Sequence, residues 1–126
     1  MPHRFLSSSL VLAMVVAGVT ASTNATAAPV GRAKPHKAAV AHISIGTVHG
    51  QYAFLPHKIV IRAGTIATWT NHSNAFHTVT EANSTWTSAA FTTHKSYSHH
   101  FSKPGTYHYV CALHGYMTGI VVVTKK

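Results

Sequence analysis

The stretch Gly105-Thr-Tyr-His-Tyr-Val-Cys111-Ala-Leu-His114-Gly-Tyr-Met117-Thr-Gly-Ile-Val-Val-Val-Thr124 decides how this chain is read. Two runs rich in β-branched and aromatic residues, Thr106–Val110 and Gly119–Thr124, read as strands. Between them stand the chain's only cysteine, a histidine three residues on, and a methionine three beyond that. A thiolate, an imidazole and a thioether on one short, strand-flanked loop form a soft donor set that suits copper better than other common metals. One histidine brought in from elsewhere would complete a trigonal plane of two His and one Cys with a weak axial Met.

Working outward, Lys103-Pro104-Gly105 reads as a turn, with proline fixing φ and glycine accepting positive φ. Further strands are expected at His42–Val48, Lys58–Arg62, Thr65–Thr70, Phe76–Thr80 and Ser96–Phe101, separated by Gly, Pro, Asn and Ser. Asn83–Phe91 fits a loop or a short helix. About seven or eight short strands at close spacing predict an all-β, Greek-key β-sandwich.

The 126 residues fit one domain of normal size, and hydrophobic residues at 46% supply its core. Residues 1–27 read as a secretion signal: Arg4 begins it, Leu10–Val19 is apolar, and Ala25-Thr26-Ala27 has a small-x-small cleavage pattern. Retention of that run as an anchor is the alternative, although it is short for a bilayer span. Residues 28–40, with two prolines and no periodicity, read as a flexible basic lead-in to a domain over 41–126. Export predicts a periplasmic or extracellular location. A lone cysteine in an exported chain is a free thiol, an intermolecular bridge or a metal ligand, and its neighbours favour the last.

Ten Lys and Arg face a single acid, Glu81. The basic residues are scattered along the sequence with no Lys/Arg block and no nucleic-acid motif, so no nucleic-acid partner is expected. The scarcity of carboxylates removes the commonest route to acid denaturation and suggests an acidic working environment. His94, His99 and His100 cluster near one strand and read as surface imidazoles, with His99 and His100 on opposite faces. His72 lies close to the first candidate ligand loop.

The segment Phe54-x-Pro56-x-x-Ile59-x-Ile61-x-Ala63-Gly64-Thr65-x-Ala67-Thr68-Trp69-Thr70-Asn71 leads within six residues to His77-Thr78-Val79. Together with Lys103-Pro104-Gly105-Thr106-Tyr107-His108-Tyr109-Val110-Cys111, it resembles the small blue copper proteins, the cupredoxins, and above all amicyanin. The resemblance covers about residues 42–126. It implies a single type 1 copper ion held by His77, Cys111, His114 and Met117. It also implies single-electron transfer and redox partners docking on an apolar patch around His114. With all four coordination positions filled by protein, a monomer without enzymatic activity is expected. No later segment is suited to span a bilayer, so no stable membrane insertion is expected once the signal is removed. Ala75, Phe76, Gly115, Tyr116 and Met117 are expected in that patch, with lysines steering an acidic partner. Two positions depart from the family pattern. Thr78 stands where asparagine is common, and its hydroxyl can make one of the amide's hydrogen bonds. Gly115 stands where amicyanin-like loops carry proline. A copper carrier or storage module, a fixed electron-transfer subunit of a larger enzyme, and a metal-free sandwich are the competing readings.

Overall fold

The computed structural model describes residues 35–126, together with Gly18 and Gly31. The expected signal at 1–27 and most of the lead-in lie outside the described residues. Eight strands run in order: β1 (Val40–Val48), β2 (Gln51–Leu55), β3 (Lys58–Arg62), β4 (Thr65–Asn71), β5 (Thr80–Glu81), β6 (Ser96–Phe101), β7 (Gly105–Cys111) and β8 (His114–Thr124). They form two four-stranded sheets, ordered β2-β1-β4-β6 and β3-β8-β7-β5. The all-β sandwich expected from the sequence is the fold observed.

Each long strand buries alternate residues, as the period-2 geometry of a half-buried strand requires. In β4, Thr65, Ala67, Trp69 and Asn71 point inward; in β8, Met117, Gly119, Val121 and Val123 do so. Of these, Ala67, Trp69, Met117, Val121 and Val123 join Ile43, Ile45, Phe54, Phe101 and Tyr109 in one continuous core. Asn71 is the last member of the inward row of β4, and that position brings its amide to the end of the sandwich where the candidate ligands gather.

Three elements differ from the sequence reading. Strand β2 was not expected; it pairs with β1 through a two-residue turn in which His49 and Gly50 both have positive φ, 48° and 81°. Positive φ at both central residues matches the right-handed twist of the flanking strands, and glycine at the second makes it accessible. The expected strand Phe76–Thr80 shrinks to Thr80–Glu81, because His77 makes only an isolated bridge to Phe91. Asn83–Phe91 contains no helix. It is a loop whose Trp86 packs beside Trp69, Phe101 and Tyr109 and stacks on His99 at a centroid distance of 4.4 Å.

Burial pushes the Tyr109 phenol up to about 12, and the nearby Trp69 indole offsets this only in part, without a well-formed hydrogen bond. The Tyr109 ring lies over Gly119, its cross-strand partner. A Cβ at Gly119 would fall inside that ring. Forcing extra volume into a packed core costs about 1–3 kcal/mol. Gly119→Ala is therefore expected to lower unfolding free energy by about that amount in urea titrations, with no change in m-value.

The shortage of carboxylates does not leave the fold indifferent to acid. Burial, and secondarily the neighbouring His114, holds His77 below the ordinary histidine range; burial and His100 do the same for His99. A histidine whose folded pKa is depressed contributes stability that is present above its unfolded value, near 6.5, and lost as pH falls. Replacing His99 with Gln should flatten the decline of thermal stability below pH 6.5. An unchanged pH slope would show that His99 carries none of it.

Candidate metal centre

The two-residue turn Ala112-Leu113 closes the β7–β8 hairpin, with Cys111 paired to His114 and a register shift between Val110 and Cys111. Cys111 therefore ends β7 and His114 and Met117 lie on β8, where the sequence reading had a longer loop. His77 arrives from the opposite sheet's β4 by way of residues 72–76. Its backbone is clamped to Phe91 by paired hydrogen bonds of 3.2 and 2.9 Å.

These elements bring His77, Cys111 and His114 together with all three donor atoms within 4.8 Å of one another. Cys111 Sγ lies 3.7 Å from His77 Nδ1 and 3.6 Å from His114 Nδ1. Bond lengths of about 2.0 Å to nitrogen and about 2.3 Å to sulfur, meeting at roughly 120°, would separate nitrogen and sulfur by about 3.7 Å. The donor set thus fits a trigonal ion as it stands. Cys111 and His77 are wholly buried and His114 is partly exposed, so the site is dry with one accessible edge. Met117 is 1% exposed and belongs to the interior, not to the outer patch where the sequence reading had it.

Thr78 ties the two donor segments together. Its backbone N–H donates to Cys111 Sγ at 3.4 Å, and its Oγ1 accepts from the Ala112 N–H at 2.8 Å. The threonine at this position therefore supplies the cross-loop bond anticipated for it, and Oγ1 also meets Thr80 Oγ1 at 3.1 Å. A donor to the sulfur steadies the thiolate's charge. At Gly115, a side chain would meet nothing within 4 Å, so nothing in the packing requires glycine there.

Two contributions were not visible in the sequence. Tyr52 packs edge-on against both imidazoles, at 4.8 Å from His77 and 5.0 Å from His114, and its hydroxyl donates to Asn74 Oδ1. The His49-Gly50 turn followed by alternating Tyr52 and Phe54 was the signal for its strand. The second is a chain of hydrogen bonds behind His77. Asn71 Nδ2 donates to the carbonyls of Ala75 and Phe91, at 2.8 and 3.1 Å, which orients the amide because carbonyls only accept. Asn71 Oδ1 then accepts from Ser73 Oγ–H at 2.8 Å. With its proton so placed, Ser73 Oγ can only accept from His77 Nε2, 2.7 Å away. His77 must therefore carry its proton on Nε2 and present a bare Nδ1 toward Cys111. His72, by contrast, is exposed and takes no part. Among the described residues no second group of three His, Cys or acidic side chains converges in this way.

Removing the Ser73 hydroxyl should release this tautomer. In the metal-free protein, nitrogen NMR is expected to show His77 protonated on Nε2, with Ser73→Ala giving a mixture and Ser73→Thr restoring the single form. His77 protonated on Nδ1 in the unsubstituted chain would contradict the hydrogen-bond assignment.

The sequence profile of the copper binding proteins of the plastocyanin/azurin family matches residues 41–124, the whole sandwich from β1 to β8. Among solved structures, a purple cupredoxin from Nitrosopumilus maritimus is similar at 29% identity and a TM-score of 0.61, over 67% of this chain and 99% of that one. A Cu(I) form of an amicyanin variant is similar at 26% identity and a TM-score of 0.60, over 69% and 82%. With a donor triangle of the dimensions one copper ion needs, an all-β sandwich to hold it, and a family match spanning that sandwich, this chain belongs to the plastocyanin/azurin family of copper-binding proteins.

Proposed function

We propose that the protein is an exported, monomeric type 1 copper protein that carries single electrons between redox partners. The observation that supports this most directly is the His77–Cys111–His114 triangle, three donors already spaced for a trigonal ion where the β7–β8 hairpin meets the His77–Phe91 bridge. Copper supplies the redox change, alternating between Cu(I) and Cu(II).

The chain's own residues do the rest. Cys111 and His77 would hold the ion from buried positions, and His114 would hold it from a position with an open edge. Met117, buried three residues further along β8, would add a weak thioether donor. Ser73 holds the His77 proton away from the ion, and the Thr78 N–H moderates the sulfur's charge. Because Cys111, His114 and Met117 sit on paired strands and His77 is clamped to Phe91, little rearrangement would accompany a change of charge, and rapid electron exchange follows. With every position taken by protein, no place is left for a substrate, in keeping with a carrier and not an enzyme.

Electrons enter and leave by the exposed edge of His114. Tyr116 packs near its ring, Leu113 precedes it in the chain and Phe76 precedes His77; all three are more than half exposed, at 54%, 55% and 57%. An apolar patch of this kind suits brief contact with a partner across a small interface. Tyr52 seals the flank of the site between the two imidazoles.

The visible and EPR spectra of the Cu(II)-loaded protein, beside those of Cys111→Ser, test the reading. An intense blue or purple thiolate band with narrow copper hyperfine splitting, abolished in the variant, is the expected result. A pale adduct that survives the substitution would replace electron transfer with histidine-based copper carriage.

A further inference from the structure

The basic residues that are scattered in sequence are gathered in space. Of the seven Lys and Arg among the described residues, five lie at the end of the sandwich opposite the donor triangle. Arg62 closes β3 and pairs with Thr124, the last residue of β8; Lys125 and Lys126 follow directly. Lys103 sits in the β6–β7 turn, between Phe101, which pairs with Thr65, and Gly105, which pairs with Val123. Lys37 precedes β1 and lines a cleft of about 540 Å³ with Arg62, Lys126, His36 and His100. No acidic side chain lines that cleft.

The donor triangle is at the far end of the same strands. β4 begins at the cleft with Thr65 and ends at Asn71, beside Ser73 and His77; β8 begins with His114 and ends at the basic pole. Seven residues of β4 span about 20 Å, roughly twice the screening length at physiological salt. Of the other two cations, Lys58 lies partway along β8, opposite Ile120, and Lys95 lies near Asn71. The only acid, Glu81, pairs with Tyr109 two residues from Cys111, and its carboxylate accepts from Asn83 and Thr85. Positive charge therefore concentrates at one pole, while the other is apolar around His114. This arrangement runs against the expectation that lysines steer a partner to the copper edge.

The chain also enters the domain at the basic pole. The Ile66 N–H donates to Ala39 O immediately ahead of β1, next to the cleft lined by Lys37. Upstream lies the apolar run Leu10–Val19, which as a secretion signal, or as an anchor where it is retained, brings the chain to a membrane. From these placements we propose that the Lys37–Arg62–Lys103–Lys125–Lys126 pole docks on an anionic lipid surface through phosphate headgroups, leaving the His114 edge facing away from the membrane toward soluble partners. Clustered Lys and Arg are attracted to anionic leaflets, each strengthening binding about fivefold at low salt. The surface holds whichever way the copper ligands are finally assigned, since it shares no residue with them.

The test compares the full-length protein on phosphatidylcholine vesicles with and without phosphatidylglycerol, at low and at high salt. Where the apolar run is retained, its hydrophobic contact does not distinguish the two lipids, so the preference for the anionic vesicles reports the pole. A clear preference at low salt that disappears at high salt is expected. Arg62→Gln, Lys103→Gln and Lys125→Gln combined should weaken the anionic component on the order of 100-fold. Lys58→Gln with Lys95→Gln, which touches neither the pole nor the donors, should leave most of it. Equal binding to both vesicles would overturn the proposal, as would a control pair as costly as the triple variant. Selective binding of soluble polyphosphate or of an acidic protein, without preference for the anionic vesicle, would likewise replace the membrane with another partner. Should the triple variant not fold, the lipid and salt dependence of the unsubstituted protein still decides.

Discussion

One residue joins the two halves of the metal centre. Thr78 stands next to His77, donates its N–H to the sulfur of Cys111, and accepts from the N–H of Ala112 in the turn that follows. The two segments are more than thirty residues apart in sequence, and Thr78 leads into β5, which pairs with β7, so its bonds carry that pairing on to the donors. Without this pair of bonds, the histidine and the cysteine would be placed only by the short β5–β7 pairing and by the bridge from His77 to Phe91. With it, the nitrogen–sulfur separation is set locally, at a length suited to a shared ion.

The same logic of local constraint operates one layer further out. Asn71 is an inward-facing residue of β4, and its amide is oriented by two carbonyls that can only accept. That orientation passes through the Ser73 hydroxyl to His77, whose bare nitrogen then faces the sulfur. A strand's period-2 alternation thus ends in a statement about which nitrogen of an imidazole is free. Tyr52 and the dry core complete the enclosure, and the aromatic cluster around Trp69, Trp86 and Tyr109 keeps the sheets that carry the donors in register. Three polar atoms in that cluster, Trp69 Nε1, Trp86 Nε1 and Tyr109 Oη, are buried without partners. We find no functional reason for them; their cost accompanies the gain from burying large rings.

Much of the fold was legible because its signals are local. The alternating rows of β1, β4 and β8 and the Pro-Gly turn before β7 announce a sandwich, and the Cys-x-x-His-x-x-Met spacing announces a soft-metal loop. Strand β2 was missed because its turn, His49-Gly50, is a less familiar pair than Asn-Gly although it meets the same requirement for positive φ. The strand expected at Phe76–Thr80 was overestimated because its β-forming residues are held by a bridge to Phe91 and by donor geometry, not by a ladder. Propensity reports what a residue accepts, and tertiary pairing chooses.

What the sequence alone determined is the inventory: an all-β chain with one thiol, the residue types of a copper site at characteristic spacing, and almost no acids. These are properties of residue type and short-range order, which a linear chain carries openly. What only the tertiary structure decided is convergence. It brought His77 to within 3.7 Å of Cys111 and placed Tyr52 against both imidazoles. It turned Met117 inward and drew five scattered cations to the pole farthest from the donors. Such distances depend on how strands distant in sequence pair across two sheets, and side-chain chemistry read one residue at a time contains no measure of them.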